Sequence, residues 1–135
     1  MKTLNDFLGE SITRIQVKLN ADFEAVNNEI LIDQLFVHLE NVVLQIQPFV
    51  DTDEVRCDLL SPDEAPEDYQ NCQELAQFLG RTFSEVWVST NSRGYSDLLI
   101  LGLKRLNPTL LILSEGGVLK LINADSNFVT SMDLV

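Results

Sequence analysis

The densest gathering of chemically capable side chains lies in "EVWVSTNSRGYSD", residues 85–97, where Trp87, Asn91, Arg93, Tyr95 and Asp97 fall close together at an expected strand-loop-strand junction. A Trp and a Tyr beside an Arg have the composition of a binding hot spot, because rigid rings order at low entropic cost and a guanidinium offers a fork of donors. A second reading stays open at this point. Trp87 would cover a hydrophobic layer, Asn91 and Gly94 would satisfy a turn, and Asp97 would pair with Arg93. Strand alternation sets Val86 and Val88 inward, with Glu85 and Trp87 on the other face.

Carboxylates form the other concentration. "DTDEVRCDLLSPDEAPED", residues 51–68, holds eight acids against Arg56. Asp51, Asp53 and Glu54 are the oxygen type that Ca²⁺ takes from a short loop, but the Gly and distal Glu spacing of an EF-hand are missing, so a solvated loop and no metal are expected. Asp63, Glu64, Glu67 and Asp68 complete the acidic patch in a Pro-containing linker, about residues 61–69. His38 is the one histidine, set mid-strand between Val37 and Leu39 with no nucleophile turn near it in sequence. Cys57 and Cys72 have no metal or disulfide signature and read as reduced thiols. No phosphate cradle or dinucleotide fingerprint occurs. The expectation is a protein without cofactor and without catalytic residues.

The elements that must position these groups begin with a restatement. "FLGESITRIQV" (7–17) returns 71 positions later as "FLGRTFSEVWV" (78–88). Each copy carries a Gly where a helix should stop and then alternates like a strand. "EDYQNCQELAQFLG" places Leu75, Phe78 and Leu79 on one helical face, so one main helix is predicted near 69–79. Paired strands follow each copy: "QLFVHLEN", "VVLQIQ" and "EVRCDL" in the first half, "DLLILGLKRL", "TLLILS" and "VLKLIN" in the second. Glu40-Asn41, Asn107-Pro108 and Glu115-Gly116-Gly117 supply the turns. The predicted fold is α+β, mainly an antiparallel curved sheet or partial barrel from two helix-plus-meander halves (about 1–60 and 70–125), consistent with an internal duplication or with two units obeying the same local rules.

At 135 residues, with 45% hydrophobic and 22% charged residues, the chain has the size and balance of a single globular domain. "MKTLNDFLGE" has Asn and Asp where a secretory signal needs an apolar core, and no apolar run approaches the roughly 20 residues of a spanning helix. A soluble cytoplasmic protein, not bound to membrane, is expected. Net charge is −12 and uneven: residues 1–71 hold fifteen acids and four bases (net −11), residues 72–135 six and five (net −1). That field repels phosphate backbones and attracts basic proteins, so direct nucleic-acid binding is not expected.

The combination of "DTDEV" after a two-strand hairpin with Trp87, then "NSRGYSD", then apolar strands ending "LLILSEGGVLKL", resembles a family of small uncharacterised bacterial proteins known only as a domain of unknown function. The likeness covers about residues 8 to 123. It brings no activity; carried over by position, it singles out Asp51, Asp53 and Glu54 in the first half, and Trp87, Asn91, Gly94, Tyr95 and Asp97 in the second. Three functional readings follow from the residues. One is a protein-binding module of immunity type that neutralises a basic partner. A second is a small-molecule-binding or enzymatic domain with its site at Trp87–Asp97. The third is a homodimer component joined through a strand edge such as Thr109–Ser114.

Overall fold

The computed structural model describes residues 3–19, 29–49, 51–67, 69–103 and 110–123. Nine strands follow in chain order: β1 (Arg14–Leu19), β2 (Glu29–His38), β3 (Val43–Phe49), β4 (Glu54–Leu60), β5 (Gln70–Asn71), β6 (Phe83–Thr90), β7 (Ser96–Leu103), β8 (Leu110–Glu115) and β9 (Val118–Asn123). Every pairing is antiparallel, in one sheet of order β4-β3-β2-β9-β8-β7-β6, with β1 on β2 and the short β5 on β1. The sheet curls into a half-barrel.

The α+β expectation is overturned. Among the described residues there is no α-helix, only 3₁₀ segments at Leu4–Phe7, Pro62–Glu64 and Gln73–Phe78. The main helix predicted near 69–79 fails for a physical reason: its first residues are spent on strand pairing, Gln70 with Val17 and Asn71 with Gln16. What remains before Gly80 is too short for an α-helix to repay its nucleation cost. A 3₁₀ segment, with three residues per turn, stacks Leu75 directly over Phe78. Both are fully buried, whereas Leu79, predicted on the same face, is 46% exposed because it falls off that three-residue period.

The two restated segments pair with each other. Ser11 and Thr82 form an isolated antiparallel bridge. Around it the Gly9 N–H donates to the Phe83 carbonyl (2.7 Å) and the Gly80 N–H to the Ile12 carbonyl (2.8 Å). The Ile12 N–H donates to the Arg81 carbonyl (2.9 Å) and the Phe83 N–H to the Glu10 carbonyl (2.8 Å). Exchanging the copies maps each of these bonds onto another. Gly9 and Gly80 hold φ of 97° and 82°, the left-handed region that an L side chain resists, and this lets the chain leave each 3₁₀ turn and enter the bridge.

Each half is a four-strand meander, β1–β4 and β6–β9, and β2 joins them. Residues 35–38 of β2 pair with β3 and residues 29–32 with β9, so both halves share one sheet. Between the curled faces lies one core, including Ile12, Val17, Ile32, Leu35, Leu44, Ile46, Phe78, Phe83, Leu101, Ile112 and Leu119. β8 is paired by both β7 and β9, so the strand edge expected to join a dimer at 109–114 is not a free edge. Thr109 itself, the Asn107-Pro108 turn and Asp68 lie outside the described residues. No helix among the described residues is long and apolar enough to cross a membrane.

Candidate functional site

Three hairpin loops meet at one end of the half-barrel: 51–53 between β3 and β4, 91–95 between β6 and β7, and 116–117 between β8 and β9. Asn91 builds the second of these. Its Oδ1 accepts the N–H of Arg93 (2.9 Å) and of Tyr95 (3.2 Å), and its backbone N–H donates to the Tyr95 carbonyl (2.8 Å). An Asn side chain imitates a backbone turn in this way, which is why this residue type sits here. Asn91 Nδ2 also reaches Asp97 Oδ2 (3.4 Å).

The acidic loop is tied to that hairpin through Glu54. One carboxylate oxygen accepts the Thr52 hydroxyl (2.9 Å) and the other accepts the N–H of Ser96 at the start of β7 (3.1 Å). Asp53 holds φ of 58°, a left-handed conformation that Asp tolerates better than most residues, at an order of 1 kcal/mol. Its Oδ1 accepts the Gly117 N–H (3.4 Å), linking the first loop to the third. Two sequence clusters some forty positions apart thereby become neighbours.

Between them opens a cleft of about 420 Å³, whose lining includes Asp51, Asp53, Arg93, Tyr95, Asp97 and Ser114. Three aspartates and one arginine line it; Glu115, also at the cleft, has Lys120 at 3.7 Å. Tyr95 is 37% exposed. Ser114 ends the inward series Leu110, Ile112, Ser114 on β8, is 2% exposed, and its hydroxyl has no hydrogen-bond partner among the described residues. Among the described residues, no three His, Cys, Asp or Glu side chains are grouped so as to hold a metal ion.

The structure separates other residues that sequence proximity groups together. Trp87 is half-buried and does not line the cleft. It heads a cross-strand row, Trp87–Ile100–Leu111–Ile122, on the face of β6 opposite Val86, which packs on the core. Val88, expected inward, is 59% exposed: it lies beyond the core where β6 runs out toward its hairpin. The acidic patch also divides. Asp51 and Asp53 face the cleft, and Glu54 is used in the seam. Glu64 caps its own turn through the Ser61 N–H (3.0 Å) and hydroxyl (2.8 Å), bonds that hold its carboxyl below the usual range.

Asp63 and Glu67 belong to a separate cleft of about 320 Å³, shared with Arg14 and His38. Beneath it runs a polar chain that sequence reasoning missed. Gln16, fully buried, donates from Nε2 to the carbonyls of Pro66 (3.0 Å) and Tyr69 (3.5 Å). That orientation turns its Oε1 toward His38 Nε2 (2.6 Å), so Nε2 carries the imidazole proton. Tyr69 donates to Gln34 Oε1 (2.8 Å), Gln34 to Gln47 Oε1 (2.8 Å), and the Tyr69 ring meets Phe36 edge-on at 5.1 Å. Burial, then the Arg14 charge, lowers the His38 pKa from 6.5. The signal available for Gln16 was an amide set between the inward-facing Ile15 and Val17 of "RIQVKL", hence on the other face of β1, where the segment carrying Pro66 and Tyr69 covers it.

Neither Cys57, on β4, nor Cys72, just before the 3₁₀ segment at Gln73–Phe78, forms a disulfide. Burial, followed by Asp58, pushes the Cys57 thiol up to about 12, which leaves it inert as a nucleophile near neutral pH.

No curated protein and no solved structure matches the chain. A protein-family model described as a family of unknown function (DUF6334) matches residues 1–126.

Proposed function

The chain belongs to this family of unknown function, and we propose, from the charge and lining of the three-loop cleft, that it is a binding module that receives a basic protein partner there, in the manner of an immunity-type inhibitor. One observation carries the reading. Asp51 and Asp53 from one half and Asp97 from the other line the same cleft, against the single guanidinium of Arg93. The chain's charge of −12 steers a basic protein from a distance, and the walled cleft concentrates that field where the partner docks. Arg93, Tyr95 and Asp97 then supply contact, with Asn91 holding the loop in shape.

The test is capture from lysate of the native cell, followed by association kinetics of any retained protein at rising salt. A basic partner whose association slows steeply with salt, and slows further for Asp51→Asn/Asp53→Asn, supports the reading. Salt-insensitive association, or retention unchanged in that double variant, removes it.

A further inference from the structure

We propose that the three-loop cleft is a pocket for an arginine side chain, with the Ser114 hydroxyl as the hydrogen-bond acceptor at its base; this rests on the binding-module reading above. The carrying observation is Ser114 itself. A buried hydroxyl without a partner forfeits its hydration, and sheet strands normally place an aliphatic residue at such an inward position. Here Leu110 and Ile112 precede it on the same face of β8, and the hydroxyl comes only where the strand reaches the cleft. Its position at the cleft suits a donor brought in from outside.

The surrounding acceptors say which donor. Asp51, Asp53 and Asp97 line the cleft but are not grouped as ligands around one ion, so a point charge satisfies few of them at once. A guanidinium is planar and spreads five N–H donors in a fixed fork, which lets one group serve a buried hydroxyl and separated carboxylates together. Tyr95, partly exposed, lines the same cleft, and an aromatic ring is a surface on which a guanidinium stacks. An ammonium offers three donors from a single centre and does not stack as a plane. The occupant is therefore an arginine side chain presented by the basic partner.

The probes are N-acetyl-arginine methylamide, its lysine counterpart and its neutral citrulline counterpart, titrated into the full chain and followed by amide chemical shifts. The arginine probe is expected to shift the amides of Tyr95, Ser114 and Gly117 and to bind more tightly than the other two. Ser114→Ala is expected to weaken it about tenfold, the worth of one hydrogen bond to a charged group, with the circular dichroism spectrum unchanged. Equal affinity in Ser114→Ala, equal binding of the lysine probe, or shifts confined to another face would overturn the inference. If the arginine probe is ignored while a captured basic partner still associates in a salt-dependent way, this inference falls and the binding-module reading stands. If neither occurs, both fall.

Discussion

Two polar regions of the half-barrel are built from similar residue types and end in opposite states. At the Gln16–His38 chain, the buried amide is saturated: both ends of Gln16 have partners, and Tyr69, Gln34 and Gln47 continue the series. At the three-loop cleft the frame is just as well bonded through Asn91 and Glu54, yet the buried Ser114 Oγ has no partner among the described residues. A completed network stabilises the fold and leaves little for a ligand to gain. An incomplete one, walled by charge, is where outside matter is worth binding.

The comparison can be broken at its strongest point first. Gln16→Leu should destabilise the protein by about 2–4 kcal/mol, because it strands the His38 N–H and two part-buried carbonyls at once; a denaturant midpoint within error of the parent would mean that this polar network is not structural. Next in size, Asp51→Asn/Asp53→Asn should slow association with a basic partner by about tenfold at low salt and converge with the parent near 1 M, where the screening length is about 3 Å. Equal rates at low salt would remove the electrostatic role of the cleft.

His38 sharpens the contrast through pH. Its folded pKa lies below 6.5, so the unfolded chain binds the proton more readily. Its contribution is thus fully present above 6.5, declines as pH falls through that value, and levels off below the depressed folded pKa. Arg14, Asp63 and Glu67 share the cleft with it. His38→Gln should flatten this part of the stability curve, measured by urea unfolding between pH 7.5 and about pH 5, and an unaltered slope would show that other groups set it. The smallest change expected is in Ser114→Ala: stability unchanged or raised by up to about 1 kcal/mol, since no native bond is lost. A clear drop in melting temperature would mean that the hydroxyl has an internal partner after all.

Much of the sheet was readable in advance. Alternation in "QLFVHLEN" and "VVLQIQ" marks β2 and β3, which pair as a hairpin with Leu35 opposite Ile46 and Val37 opposite Leu44. The restated Phe-Leu-Gly marks two points where the chain must turn. The helix near 69–79 was misread because its apolar spacing fits a 3.6 period and a 3.0 period almost equally over so few residues. Only the competing pairing of Gln70 and Asn71 with β1 tips the choice. Trp87 was grouped with Arg93 and Tyr95 by nearness in sequence, and strand geometry sent it to the outer row instead.

By itself the sequence determined the strands, the turn chemistry of Asn91 and Gly94, the left-handed glycines and the excess of negative charge, because each depends on neighbours within a few positions or on composition alone. Tertiary structure decided which loops meet, that Asp53 and Asp97 line one cleft, that Gln16 is saturated, and that Ser114 is left without a partner. Those outcomes depend on how a sheet of mostly local hairpins curls and on long-range junctions such as β2 with β9 and residues 9–12 with 80–83, and neither the curl nor those junctions are encoded in any short stretch of residues.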